Sequence, residues 1–167
     1  MINKKMETAL NDQITFEIYS AHLYLSMAAY LDSIDLPGFS HWMRIQYQEE
    51  IAHSFKMFDY VIERDGRAKI CQIDEPQFEW KSVLDAFESA YAHEQKVTSR
   101  INNLVDIALA EKDHASHIFL QWFVNEQVEE EATAKGIIQQ LKMLADSKAG
   151  LFQIDRELGQ RVFTPPV

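Results

Sequence analysis

Cysteine, glycine and proline are scarce in this sequence of 167 residues, which has one cysteine, five glycines and four prolines. The single thiol, Cys71, excludes an internal disulfide and any metal site built from several cysteines. It lies in a segment without a neighbouring histidine, so we expect a structural or incidental thiol in a loop. Because residues that break helices are so few, long uninterrupted helical elements are favoured.

Long apolar runs and basic residues are also few. The longest nearly apolar run, LYLSMAAYL at 23–31, is too short to span a bilayer, and the first residues lack the apolar stretch of a secretory signal. We therefore expect a cytoplasmic protein that does not contact a membrane. The net charge of -10, from 26 acidic and 16 basic residues, repels nucleic-acid phosphates and attracts cations. Acidity that only maintains solubility is the alternative explanation.

Helical periodicity dominates the chain, and the breakers cluster between long periodic stretches. The pattern predicts an all-α protein with one domain over residues 1–167. Gly66 is expected in the left-handed conformation that ends the second helix. Asp113 and Ser147 are expected to cap the fourth and fifth helices. The predicted helices cover about 4–33, 39–64, 81–111, 114–145 and 148–159.

Residues 66–80 connect the second and third helices. They include Pro76 and show no sustained helical period, so they are expected to form a long crossover. Two helical hairpins joined by a crossover that travels the length of the molecule form a four-helix bundle with up-down-down-up order. A short fifth helix follows, and the final TPPV is expected to be an extended tail.

The segment YQEEIAHSF, residues 47–55, places Glu50 and His53 where the apolar periodicity expects the core. The other three long helices are interrupted in the same way near their middle. The interrupting residues are Glu17, Glu50, His53, Glu94, Gln127 and Glu130. The second half of this set repeats the first at an interval of 77 residues. Because residues equidistant from the turn of an antiparallel hairpin lie level, we expect all six in one layer.

Four carboxylates in one buried layer repel one another, and each isolated buried charge costs on the order of several kcal/mol. Protons or cations must offset this cost. Two divalent cations balance four carboxylates, the i, i+3 spacing puts Glu50 and His53 on one helix face, and Gln127 adds a weak oxygen donor. The pattern predicts a dinuclear site for iron, manganese or zinc. A buried polar network without metal is the alternative.

With these features the sequence resembles the ferritin family, specifically its bacterial haem-free members. The resemblance extends over essentially the whole chain and includes the five helices, the crossover and every ligand position. It implies a ferritin-like bundle with a di-iron site in each subunit. Glu17, Glu50 and His53 would bind the first iron, and Glu50 would bridge to the second, which Glu94 and Glu130 complete.

The same resemblance implies further site residues. Gln127 would lie close to the second iron, and Tyr24, seven residues after Glu17, would hydrogen-bond into the site. A third iron site of acidic residues would be formed by Glu49, Glu126, Glu129 and Glu130. Taken alone, the EQVEEE segment that contains three of them is more typical of a solvated helix face.

Two features separate the chain from related families. Bacterioferritins have a methionine haem ligand directly after the first Glu of their Glu-x-x-His motif, and they have a second such motif on the fourth helix. This chain has Ile51 and Gln127-x-x-Glu130 at those positions, so no haem is expected. Rubrerythrins add a four-cysteine iron domain, which a single cysteine excludes.

The resemblance implies iron storage with ferroxidase activity, in which O2 or H2O2 oxidises Fe(II) and the Fe(III) is deposited as mineral inside a shell of 24 identical subunits. The fifth helix would lie at the fourfold axis, or would simply cover the end of the bundle. Two other functions stay open: a non-storing di-iron or di-manganese redox enzyme of the same fold, and a non-catalytic helical interaction module. The repeated ligand set argues against the second.

The remaining histidines lie off the core-facing positions. His114 and His117, at the start of the fourth helix, could line an entry route for metal, but surface residues are the commoner explanation of such a pair. His22, His41 and His93 are expected to be exposed or partly packed.

Overall fold

The computed structural model describes residues 1–144 and 147–165. Within these ranges the chain forms five helices and no strand, which confirms the all-α prediction, and the observed bounds lie within two residues of the predicted ones. Ala145 and the last two residues of the TPPV tail lie outside the described ranges. The helices are α1 (Lys4–Ser33), α2 (Pro37–Glu63), α3 (Val83–Ala110), α4 (His114–Leu144) and α5 (Lys148–Leu158).

The first four helices form a bundle in the predicted up-down-down-up order. α1 packs against α2, and α3 against α4, as two hairpins with short connections. α1 and α3 run antiparallel, because Lys5 near the start of α1 pairs with Glu111 after the end of α3 (3.1 Å), while Tyr24 farther along bonds to Glu94. Among the described helices none is both long and apolar enough to cross a membrane.

The crossover between α2 and α3 lies along α1. The Asn11 side chain donates to the backbone oxygen of Arg67 (3.0 Å) and accepts from the N–H of Lys69 (2.8 Å). Farther along α1, Ser26 donates to the backbone oxygen of Gln77 (2.7 Å). The helix rises about 22 Å between residues 11 and 26, so these contacts alone cover about half of the length of α1, which has 30 residues.

Polar side chains cap several helices, as the sequence predicts. Asp113 accepts from the N–H of Ser116 (3.1 Å) at the start of α4, and Ser147 accepts from the N–H of Gly150 (3.2 Å) at the start of α5. Both predicted caps are confirmed. Each satisfies a backbone donor that the first helical turn leaves without an intrahelical partner.

The prediction for Gly66 is wrong. The left-handed residue after α2 is Asp65, with φ 57°, whereas Gly66 has no positive φ. Aspartate tolerates this conformation because its short side chain can bond locally. Space rather than φ explains the glycine, since a Cβ there would lie 2.8 Å from the oxygen of Val61 and 2.9 Å from the Ile2 side chain.

The core consists of two apolar clusters on either side of a polar layer. On α1, Met6 and Ile14 belong to one cluster, whereas Tyr24 and Leu31 belong to the other. Between them α1 presents the buried Glu17. The two clusters exclude water from both sides of the layer, so charged groups within it lose most of their hydration.

The fifth helix is held on the bundle by a cap that it supplies to α2. Leu36, at the N-cap of α2, provides no side-chain hydrogen bond. Instead the buried Asp155 of α5 accepts from the N–H groups of Gly38 (2.8 Å) and Phe39 (3.0 Å), where its negative charge also suits the helix dipole. A Cβ on Gly38 would lie 1.6 Å from the backbone oxygen of Asp155, so only glycine permits this contact.

Candidate metal centre

The structure places all six predicted layer residues in the interior. Each of the four bundle helices contributes at least one of them, and none is more than 6% exposed. The six are Glu17, Glu50, His53, Glu94, Gln127 and Glu130. They lie between the two apolar clusters, where a set of carboxylates is expected only if protons or cations neutralise it.

Glu17, Glu50 and His53 form a compact group of metal-ligating atoms. One ligand atom from each lies within 4.8 Å of the other two, and His53 Nδ1 is 3.9 Å from Glu50 Oε2. Oε2 of Glu17 and Oε2 of Glu50 are buried without a hydrogen-bond partner among the described residues. Because buried carboxylate oxygens are normally paired, this group fits a divalent cation with oxygen and imidazole ligands.

Glu94 is held from two sides. The Tyr24 hydroxyl donates to one of its carboxylate oxygens, and the Gln127 amide Nε2 donates to the other at 3.0 Å. Gln127 also donates to the Thr98 hydroxyl at 3.3 Å. These contacts orient Glu94 toward the layer, and they give Gln127 a clear positioning role; direct ligation by its amide oxygen stays a prediction.

Protonation of the carboxylates is strongly shifted by burial. Burial raises the pKa of Glu94 to about 7 and that of Glu130 to about 8. Burial and the charges of neighbouring carboxylates hold the pKa of Glu50 well above its usual range, and burial also raises the pKa of Glu17. Without cations the layer therefore retains protons near neutral pH, and a metal ion must displace them.

His53 is a neutral imidazole at physiological pH. Burial, with a smaller contribution from the positive charge of Lys56, lowers the pKa of His53 to about 4. The ring packs edge-on against Trp122 at a centroid distance of 5.5 Å. A neutral ring has a lone pair available for a metal ion, so His53 is ready to act as a nitrogen ligand.

A second acidic group lies beside this cluster. Glu126 Oε1 is 4.0 Å from His53 Nε2, and Glu49 is partly buried one residue before Glu50. Glu129 is exposed; burial and then the charge of Glu129 raise the pKa of Glu126. The residues predicted for a third site thus lie near one another, on the α2 and α4 side of the layer.

A sequence model described as "Ferritin-like domain" matches residues 7–144 of the chain. The chain belongs to the ferritin family. A bacterial non-heme ferritin of Bacteroides fragilis is 48% identical over 161 residues, which cover 96% of this chain and 100% of that relative. Another, from Staphylococcus haemolyticus, is 40% identical over 163 residues, or 98% of each chain.

Solved ferritin structures are similar over almost the whole chain. An open pore ferritin from the archaeon Archaeoglobus fulgidus has 55% sequence identity and a TM-score of 0.96, and the match covers 97% of this chain and 100% of that one. An engineered closed form of the same ferritin has 55% identity and a TM-score of 0.97, with 98% and 100% covered. The four-helix bundle with a short fifth helix is therefore a ferritin fold.

Two residues that hydrogen-bond to the carboxylates of the candidate metal centre were missed by the sequence analysis. Gln13 donates to Glu17 Oε1 at 2.8 Å, and Gln46 donates to Glu130 Oε2 at 2.9 Å. Gln13 stands four residues before Glu17, so it shares a helix face with that glutamate. Gln46 stands four residues before Glu50 at a core-facing position. For Gln13 the one-turn spacing was a usable signal, whereas the contact of Gln46 with Glu130 joins α2 to α4 and has no local signal.

The expectation for His93 is wrong. Its ring is buried, with Nε2 2.7 Å from the Ser20 hydroxyl and stacked on Phe16 at 5.3 Å between centroids. Burial, followed by the charge of Lys96, lowers its pKa to about 4. Helical periodicity alone misplaces the ring, because aromatic side chains at the α1–α3 interface enclose it. His22 is exposed and His41 partly packed, as expected.

Proposed function

We propose that the protein stores iron as a single ferritin-like domain, oxidising Fe(II) at a two-iron site in the polar layer and depositing Fe(III) as mineral inside a shell of 24 subunits. The observation that most supports this proposal is the set of buried carboxylates, in which one oxygen of Glu17 and one of Glu50 have no hydrogen-bond partner in the described part of the chain. The ferritin family of the chain and the names of its relatives point the same way.

Fe(II) is the substrate of the proposed reaction. Glu17, Glu50 and His53 bind one ion, and Glu50 extends to a second ion that Glu94 and Glu130 complete. Two Fe(II) ions balance the four carboxylates and take the place of the protons that burial otherwise retains. No haem is part of the proposal.

The electron balance explains why two ions are bound together. Oxidation of two Fe(II) to two Fe(III) releases two electrons, which convert O2 and two protons to H2O2, or H2O2 and two protons to two water molecules. Anionic oxygen ligands bind Fe(III) more strongly than Fe(II), because the Coulomb attraction grows with the charge of the ion. The carboxylates therefore favour the oxidised product.

The side chains around the site hold it in place. Tyr24 and Gln127 orient Glu94, while Gln13 and Gln46 orient Glu17 and Glu130 by their amide N–H groups. Such outer contacts fix the direction of the carboxylate lone pairs before metal arrives. The acidic group beside the site would bind a third iron. Its members are Glu49, Glu126, Glu129 and Glu130.

Assembly into a shell is proposed by analogy with the family, and several large apolar side chains are exposed on the single chain. Phe55, Phe78, Ile118 and Phe152 are each between 59% and 72% exposed. The number of 24 subunits, like the cytoplasmic location, is proposed by analogy with the family.

One experiment separates iron storage from its main alternative. Fe(II) is added anaerobically to metal-free protein, air is admitted, and the ferric absorbance and the sedimentation of the particle are followed together. Rapid oxidation and uptake of far more than a few irons per subunit, in a large particle, is the expected result. Oxidation that stops at two or three irons per subunit in a small oligomer would indicate a non-storing di-iron enzyme instead.

A further inference from the structure

Arg161 connects the segment after α5 with the metal-binding side of α2. Its Nη2 donates to Glu49 Oε2 at 2.7 Å, and its Nη1 donates to the side-chain oxygen of Gln46. Its guanidinium carbon lies 4.7 Å from the centroid of the Trp42 ring. The backbone oxygen of Arg161 accepts a hydrogen bond from His41 Nε2 at 2.8 Å. All four partners belong to α2.

The same guanidinium reaches a proposed iron ligand through one intervening side chain. The Gln46 amide that accepts from Arg161 donates through its Nε2 to Glu130 Oε2 at 2.9 Å. Burial raises the pKa of both Glu49 and Glu130, and the positive charge of Arg161 opposes that rise. Arg161 therefore acts on two of the four carboxylates of the proposed third site.

We propose that Arg161 is a tethered cation that competes with a metal ion for Glu49, so that the third site fills only when the guanidinium withdraws. This proposal rests on the function proposed above. A guanidinium has no lone pair for a metal, and at 2.7 Å it occupies one of the two carboxylate oxygens with which Glu49 could bind a metal. A divalent ion bound to that oxygen would also be repelled by the nearby positive charge.

The local structure makes this competition effective. Arg161 is 23% exposed and Glu49 is 15% exposed, so water screens their attraction less than that of a surface pair. The Trp42 ring and the His41 bond keep the arginine beside the carboxylate at a high effective concentration. Among the described residues no arginine bonds directly to Glu17, Glu50 or Glu94, and Arg161 reaches Glu130 only through Gln46. We therefore expect the two-iron site to bind metal before the third site does.

The test is a calorimetric titration of the metal-free, assembled protein with Zn(II), a redox-inactive probe. Arg161→Gln removes the competing charge, so the third Zn(II) ion should bind about fivefold more tightly. The affinities for the first two ions should change less, because Arg161 reaches their ligands only at Glu130 and only through Gln46. Arg44→Gln is the matched control, because it removes the same charge from the Arg44–Asp32 pair (2.7 Å) at an exposed position. Arg44→Gln should bind every Zn(II) ion with the same affinity as the unmodified protein.

A second pair of variants tests whether Glu49 is the group for which Arg161 competes. In a Glu49→Gln background the Arg161→Gln change should have no further effect on the third equivalent. Arg161→Lys retains the charge but cannot contact Gln46 and Glu49 at the same time in the way that arginine does. Its affinity for the third Zn(II) ion should therefore lie between those of the unmodified protein and Arg161→Gln. This variant also provides a test if the glutamine variant does not assemble.

Two different failures can be told apart. If Arg161→Gln bound the third Zn(II) ion with unchanged or lower affinity, or not at all, the proposed competition would be overturned. Arg161 would then only hold the segment after α5 against α2. The competition would also be overturned if Arg44→Gln raised the affinity for the third Zn(II) ion as much as Arg161→Gln does. The same holds if Arg161→Gln still raised this affinity in the Glu49→Gln background. Fewer than two Zn(II) ions per subunit in the unmodified protein would instead overturn the two-metal site.

Discussion

Gln13 and Glu17 form a hydrogen bond of 2.8 Å between Nε2 and Oε1, one turn apart on α1. The amide cannot easily rotate away, because its oxygen accepts from Arg100 Nε at 2.7 Å. Among the described residues the far oxygen of Glu17, Oε2, has no hydrogen-bond partner. Gln13 thus engages one carboxylate oxygen of Glu17 and leaves the other available to a metal ion.

Gln13→Leu should lower the affinity for the first metal ion about tenfold, because a hydrogen bond to a charged group contributes roughly 1.5–3 kcal/mol. Leucine has a volume similar to that of glutamine, so the packing should change little. Zn(II) titration measures the change. Gln121→Leu, which alters an exposed glutamine bonded only to a backbone oxygen in α4 (3.2 Å), is the control. Equal affinities for the two variants would exclude a positioning role for Gln13.

Glu130→Ala should slow the rapid oxidation of Fe(II) on the order of tenfold or more while the shell stays intact, because the second iron loses a ligand. Stopped-flow absorbance measures the rate, and sedimentation reports on assembly. Glu63→Ala removes an exposed carboxylate at the end of α2 and should oxidise iron at the unmodified rate. If Glu130→Ala were as fast, Glu130 would not belong to the site.

The metal-free protein should lose stability as pH rises from about 6.5 to about 8. Burial raises the pKa of Glu130 to about 8 and that of Glu50 well above its usual range. In this window the folded chain binds more protons than the unfolded chain, so the free energy of unfolding falls with pH. The pKa values of His53 and His93 are lowered to about 4. These two groups make the free energy of unfolding rise with pH, but only below about pH 6.5, where the histidines of the unfolded chain are protonated.

Denaturant unfolding at several pH values, with and without Zn(II), checks this dependence. Bound metal should flatten the curve, because the cation neutralises the carboxylates. Glu130→Gln should also flatten it in the metal-free protein. Two outcomes would show that the carboxylates do not retain their protons. One is a free energy of unfolding that rises between pH 6.5 and 8, and the other is a pH dependence of that free energy that Zn(II) does not reduce.

Gly38→Ala should destabilise the docking of α5, because the new Cβ would lie 1.6 Å from the backbone oxygen of Asp155. Gly136→Ala is the matched control in the middle of α4, where an added Cβ meets nothing within 4 Å. That change should stabilise the protein by about 0.5–1 kcal/mol through helix propensity. Thermal unfolding measures both, and a Gly38→Ala protein as stable as the control would contradict the close contact.

Local features of the chain were predictable. The bounds of α1 agree with the prediction at both ends, and Asp113 and Ser147 cap their helices as expected. Helix periodicity and capping depend on residues within a few positions of one another. The burial of the six layer residues follows from the same periodicity, and the 77-residue repeat indicated that they share a level.

Contacts between distant elements were not predictable in this way. Periodicity could not show that aromatic rings enclose His93, and composition could not show that Asp65 rather than Gly66 adopts a positive φ. The first depends on how α1 and α3 pack. The glycine at 66 is explained instead by the space beside Ile2 and Val61, which leaves no room for a Cβ.

The sequence by itself determined the helices, their order and the polar residues that interrupt each core-facing face, because these are set by short-range spacing. Only the tertiary structure decided which contacts α5 and the segment after it make with the bundle. Asp155 caps α2 across 117 residues, and Arg161 reaches Glu49 across 112. No periodic pattern joins such positions, since their contact depends on how α5 and the following segment dock on the finished bundle.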